Sequence, residues 1–243
     1  MRHLLALCLL ALVLSACGSS KPKHLEIGTG SRIDILTPQL QFYKSKIPAG
    51  WVIEGADYED LFEARTKLPN IFMTQRNGQR GVHIQSGTDD FALVRYTRAK
   101  LLVSPYLSWQ WHVSEHKNEH HPVRLLIGFY GGHPKSPPLE PEQFIWRGQN
   151  FPAFDRILSI GFDDMALKRG NLYSMGKVKY YVQRGGFEQT NLWHDEIVDL
   201  SLIYNRAWPT DDQGKVIITF VGMTSQSDQF AGGITFSSIR ISR

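Results

Sequence analysis

Residues 106 to 113, YLSWQWHV, alternate without a break: Leu107, Trp109, Trp111 and Val113 share one side, and Ser108, Gln110 and His112 the other. A two-residue period puts successive side chains on opposite faces of an extended strand. The apolar face carries two indoles, each with a large area to bury, so the rest of the chain must supply a matching apolar layer. Stacking on sugar rings is the other use for such indoles. Their company with Leu107 and Val113 in a mid-chain strand predicts that they fill a core instead.

The chain supplies its layers in short strands. Residues 71 to 85, IFMTQRNGQRGVHIQ, set two alternating runs around Asn77-Gly78, the strongest short hairpin signal. Further strands are predicted at 91–97, 157–162, 176–183, 216–222 and 233–242. Residues 123–130, VRLLIGFY, are nearly all apolar, as a central strand covered on both faces would be. One helix is predicted from Asp195 to about Ala207. Ile197, Leu200, Ile203 or Tyr204, and Ala207 recur at helical spacing, Asp195 serves as cap and Pro209 as stop. The sum is a mainly β chain: a two-sheet antiparallel β-sandwich or jelly roll with one short helix near 195–207, forming a single domain over 41–243.

The N-terminus has a different character. Arg2 precedes an apolar run from Leu4 to Leu14, too short to span a bilayer but suited to a signal peptide. Ser15 and Ala16 then lead directly into Cys17, an ending that resembles the lipobox of bacterial lipoproteins. That resemblance implies removal of residues 1–16, lipidation of Cys17, and, with Gly18 next, export to the outer membrane, facing the periplasm. Residues 17–40 are expected to form the lipidated end and a flexible tether. Cys8 and Cys17 are the only cysteines, so the mature chain has no free thiol for a disulfide, a nucleophile or a zinc-thiolate site. Without Arg2 it carries 26 basic and 23 acidic side chains, a formal +3, too dispersed to argue for a nucleic-acid partner.

Several segments resemble, in order and spacing, a bacterial family of exported proteins known as a domain of unknown function. They are IPAGW (47–51), YLSWQWHV (106–113), the apolar strand at 123–130, GKVKYYVQRGG (176–186) and GGITFSSIRI (232–241). The L-S-W-x-W-x-V stretch is the clearest marker. The resemblance implies a β-sandwich akin to the jelly rolls of carbohydrate-binding modules. It also marks three departures. Relatives tend to carry acids where this chain has Glu119-His120-His121, an Asp-rich loop where it has TSQSDQ (224–229), and an Asp near Ser237 or Ser238.

Four of the nine histidines fall in HVSEHKNEHH, residues 112–121. In a helix His112, His116 and His120 would share a face, as paired histidines four apart do in zinc-binding helices. The segment instead leaves a strand and reaches Pro122 before the next, which predicts a hairpin loop. Ordering entropy opposes convergence of loop imidazoles on a metal. Three uses therefore compete: a zinc or other divalent metal site at His112, His116, His120 and His121; a loop that charges as pH falls through about 6.5; and a solvated loop. The connection over 131–156 is Pro-rich and longer than an ordinary turn. Its Trp146, Arg147, Gln149 and Asn150 combine an aromatic platform with hydrogen-bonding groups and are candidate ligand contacts, unless the segment merely covers a sheet. Asp163 and Asp164, after a strand, are candidate ligand contacts or turn formers.

No Gly-x-Ser-x-Gly elbow, phosphate loop, dinucleotide fingerprint or His-Glu-x-x-His motif occurs, so no catalytic residue and no cofactor are assigned. The expected function is a non-catalytic, outer-membrane-anchored lipoprotein whose jelly roll binds an envelope glycan or small ligand. An assembly subunit holding an envelope protein is the alternative, and a metal-dependent hydrolase the third. Replacing Cys17 with Ser is expected to abolish incorporation of labelled fatty acid and release the chain from the membrane fraction; retained label would refute lipidation at this residue.

Overall fold

The computed structural model describes residues 31–43, 46–56, 58–62, 69–137, 151–228 and 232–243. Cys17 and the predicted signal lie outside the described residues. The elements follow in chain order: β1 Arg32–Leu36, β2 Trp51–Glu54, α1 Tyr58–Phe62, β3 Ile71–Arg76, β4 Gln79–Gln85, β5 Phe91–Lys100, β6 Tyr106–Val113 and β7 Val123–Tyr130. Then come β8 Arg156–Asp163, β9 Leu172–Met175, β10 Val178–Gly185, β11 Trp193–Asp199, α2 Leu200–Ala207, β12 Ile217–Ser225 and β13 Gly233–Ser242. The strands build two stacked sheets, so the predicted mainly β sandwich is what the chain forms. One sheet runs β11-β6-β13-β4-β3, with β1 also on β13; the other runs β2-β5-β12-β7-β8-β10-β9.

Local chemistry accounts for much of this. Asn77 and Gly78 both take positive φ, 47° and 81°, as a tight hairpin turn of the primed type requires, and β3 pairs with β4 around them. The indoles of Trp109 and Trp111 are buried between the sheets, 5.4 Å apart at 88°. Trp111 reaches Phe162 of the opposite sheet at 6.5 Å and Phe236 of its own at 6.3 Å. β7 is buried along its whole length. Leu125, Ile127 and Phe129 join the main core, while Leu126 faces outward into a second cluster with Ala92, Val94 and Phe220. Phe151 stacks on Phe220 at 5.1 Å and 13°, so the end of the long connection roofs that outer face. Gly128 lies beneath the Phe220 ring, where a Cβ would collide with it.

Four expectations need correction. The predicted helix begins late: Trp193–Asp199 pairs with β6 as an edge strand, and Asp199, not Asp195, caps α2 by accepting from the Ser201 and Leu202 amides at 2.8 and 3.2 Å. Leu200, Ile203, Tyr204 and Ala207 form the buried stripe. Ile197 is 63% exposed, so its helical spacing was coincidental and the free edge of β6 decides the local structure. The expected tether over 17–40 fails in its described part, because Arg32–Leu36 forms β1 on the C-terminal half of β13 and buries Ile33, Ile35 and Leu36. The sandwich is not wholly antiparallel, since β10 runs parallel to β8. The chain passes to the sheet edge as β9 and returns as β10 into the place between β9 and β8. Finally, residues 114–122 do not close a hairpin: β6 and β7 lie in different sheets, and the segment arches between them.

Trp111 is fully buried and its indole nitrogen has no hydrogen-bond partner among the described residues. Trp111→Ala is therefore expected to cost about 3–5 kcal/mol in chemical unfolding. Trp111→Phe, which removes that unpaired N–H while keeping a ring, should cost clearly less; equal losses would contradict this placement.

Candidate functional site

The arch carries the histidine cluster and sends it to three different places. His112, next to last in β6, lies on the outer face of its sheet, opposite Thr235 and Trp193, with its ring 5.6 Å from the Trp193 ring. His83 extends the same row by facing Thr235 from the other side, its Nδ1 2.8 Å from the Thr235 hydroxyl. His116 and His121 turn into the protein and pack 5.0 Å apart. His116 donates from Nδ1 to the Asn118 carbonyl at 2.7 Å. The Nε2 atoms of both are buried, without partners among the described residues. His120 alone reaches the outer side of the other sheet. Among the described residues no three His, Cys, Asp or Glu side chains are grouped as metal ligands, and the four histidines do not converge.

His120 meets Asp163 there. Asp163 ends β8, is fully buried, and accepts at Oδ1 from the Tyr180 hydroxyl at 2.5 Å and from His120 Nδ1 at 2.9 Å, leaving Oδ2 buried and without a partner among the described residues. Burial first, and then the Asp163 charge, hold the Tyr180 phenol far above its ordinary value, so it remains a donor. Asp164 turns the other way. It accepts from Lys168 at 2.8 Å, and the same ammonium donates to Glu119 at 2.6 Å, which holds both carboxyls below their usual range. The adjacent aspartates thus split, one inward as an anchor and one outward into a surface ion cluster.

Beside this anchor opens a pocket of about 200 Å³ lined by Asn118, Glu119, His120, Pro122, Arg124, Gln226 and Ser227. Its walls are tied together: Gln226 N–H donates to the Pro122 carbonyl at 3.1 Å, and Asn118 Nδ2 to Asp228 at 2.8 Å. Arg124 projects from β7 and is only 6% exposed. Its Nε donates to the His121 carbonyl at 2.9 Å, Nη1 approaches Met175 Sδ at 3.4 Å, and the guanidinium lies 4.7 Å from the centre of the Tyr180 ring. With Nδ1 of His120 taken by Asp163, Nε2 is the nitrogen left for a molecule in the pocket. Behind the pocket lining, the half-buried Tyr173 lies 5.6 Å from His120 and is stacked at 6.3 Å on the buried Tyr180. Such an arrangement offers donors from Arg124, Asn118 and Gln226 and acceptors from Glu119, the pattern that hydroxyl-rich or charged small ligands need.

Of the residues singled out in the sequence, His120 and Asp163 belong to this site, and Asp164 stands behind it through Lys168. Trp146, Arg147, Gln149 and Asn150 lie outside the described residues. The ends of their connection are pinned: Gly131 N–H and the Ser136 hydroxyl bond Asp155, while Arg156 clamps Asp211 with two bonds of 2.8 and 2.9 Å. Arg124, Tyr180, Asn118 and Gln226 were not singled out. A signal for part of the set existed, because two of the places where the resemblance implies acids, 119–121 and 224–229, meet at this pocket. Ser238, near the third such place, lies away from the pocket in the six-stranded sheet, where it bonds Gln110 of the neighbouring strand β6.

No family model and no curated protein matches this chain. Among solved structures it is similar to a family 12 xyloglucanase from Bacillus licheniformis, with 8% identity over 93% of this chain and 98% of that one and a TM-score of 0.40. It is also similar to endoglucanase 3 of family GH12 from Trichoderma harzianum, at 10% identity, 71% and 82% coverage and a TM-score of 0.37. Carbohydrate-binding modules of the β-sandwich superfamily align at 11% identity, 84% and 61% coverage and a TM-score of 0.33. Likenesses at this level leave function to the chain's own residues.

The buried imidazoles make stability depend on pH. Burial lowers His83 from 6.5 to about 4, and lowers His112, His116 and His121 as well. The folded chain keeps these rings neutral while the unfolded chain takes up protons below about 6.5. Stability is thus full above that pH and falls as pH drops toward about 4, with His83 alone contributing on the order of 3 kcal/mol at about 1.4 kcal/mol per pH unit. Urea unfolding at pH 7.5 and 5 should show the loss, and His83→Gln should flatten part of it; a pH-independent midpoint would contradict neutral burial.

Proposed function

We propose that this chain is a non-catalytic glycan-binding β-sandwich, held at the outer membrane through lipidated Cys17, with the pocket around His120 and Arg124 as its ligand site. The observation that carries this is the convergence of hydrogen-bonding side chains from two loops and a strand on one small cavity, where the His120 ring on its wall packs near Tyr173. Sugars are recognised by that combination: ring faces meet aromatic surface, and hydroxyls pair with fixed donors and acceptors. Asp163 and Tyr180 hold His120 in place rather than meet the ligand, since both are buried. An assembly role has one feature in its favour, the exposed Ile197 on the edge strand β11. A metal-dependent hydrolase has none among the described residues.

Asn118 and Gln226 are exposed at the pocket rim, so replacing either with Ala should spare the fold. Each substitution is expected to weaken binding to an envelope polysaccharide about tenfold, the loss of roughly one well-placed hydrogen bond. Failure of the wild-type chain to bind any envelope polysaccharide on a glycan array would remove the proposal. Binding that both variants retain, but that Trp146→Ala loses, would move the site to the long connection.

A further inference from the structure

We infer that the pocket takes an acidic sugar, seating its carboxylate or phosphate on the Arg124 guanidinium; this rests on the glycan-binding proposal and names the ligand class. A guanidinium has five N–H donors in a fixed fork and no acceptor. In Arg124, Nε is spent on the His121 carbonyl and Nη1 makes only the weak sulfur contact. Nη2 has no partner among the described residues, although the side chain is buried and lines the pocket. Burying a cation without an ion-paired carboxylate is costly, and burial lowers Arg124 from its ordinary value. An arriving oxyanion would relieve that cost, because the fork matches two oxygens of a carboxylate or phosphate.

The surrounding acids do not already fill this role. Asp163 is engaged by Tyr180 and His120 and makes no ion pair with Arg124, although its charge favours the guanidinium from a distance. Glu119, on the pocket wall, is held by Lys168 together with Asp164. Asp228 accepts from Asn118. Among the described residues Arg124 is therefore a pocket cation without a carboxylate partner, while the neighbouring acids have other partners. These acids favour a ligand whose single charged group enters beside β7 and whose neutral hydroxyls face the rim.

The test is calorimetric titration of the full mature chain with trigalacturonate, its methyl ester, glucose 6-phosphate, sodium acetate and inorganic phosphate. The acidic sugars should bind about tenfold or more tightly than the methyl ester, with affinity falling as salt rises. Preference for trigalacturonate or for the phosphosugar identifies which oxyanion is seated. Arg124→Gln should abolish the preference, and because this buried change can unfold the chain, Gln226→Glu at the exposed rim is the second variant. Because Gln226 also lines the pocket, the change is read as a difference: it should weaken the acidic sugars about tenfold more than the methyl ester. Equal binding of acid and ester, changed alike by Gln226→Glu, overturns the inference and leaves the glycan proposal standing. Binding of acetate or phosphate, weakened by Gln226→Glu, with no sugar bound, supports the anion seat and removes the glycan proposal. No binding by any of the five overturns the anion seat.

Discussion

Contact between the two sheets at Phe162 is the constraint on which the rest of the structure depends. Its ring meets Trp111 from the opposite sheet and His116 from the arch, at 6.5 and 5.8 Å. Alternation along β8 then turns the next residue, Asp163, to the outer side. A packing contact between layers thus fixes the height and direction of the carboxylate that holds His120 and Tyr180. The same ring supports the arch that delivers Asn118, Glu119 and His120 to the pocket wall. Core and site are two faces of one strand end.

Asp163 illustrates why a buried polar group needs several partners. Its Oδ1 gathers two donors, and the Tyr180 ring in turn carries the Arg124 guanidinium on its face. Each group restrains another: the acid orients the imidazole, the phenol supports the acid, and the cation lies over the phenol ring. Networks of this kind gain from low local polarity when complete and lose by it when broken. The incomplete members are Asp163 Oδ2 and the outer part of Arg124, and both belong to the cluster bordering the pocket.

Much of the sandwich was legible because β-structure writes its period into short stretches. YLSWQWHV, VRLLIGFY and the Asn77-Gly78 turn each named their own conformation and their own burial. β1 and β11 were not legible, since each is an edge strand whose conformation comes from a partner distant in sequence: β13 for Arg32–Leu36, β6 for Trp193–Asp199. The insertion of β10 parallel to β8 has the same cause. For the site, His120 and Asp163 were visible as residue types but not as neighbours, being 43 positions apart. Arg124 was hidden inside an apolar run, where it read as one polar letter in a core strand. The arch defeated spacing altogether, because a segment crossing between sheets sends residues four apart to different layers.

The antiparallel seam between β1 and β13 joins the beginning and end of the described fold, from Arg32 opposite Ser242 to Leu36 opposite Ile239, with Arg240 bound to Asp34 at 2.7 Å. A pull arriving through the residues before β1 is therefore borne first by that seam. The seam belongs to the six-stranded sheet, whereas Arg124 and Asp163 sit on strands of the other. The terminal seam and the pocket thus belong to separate layers, so a tug on the chain's leading end must strip β1 from β13 before it deforms the pocket.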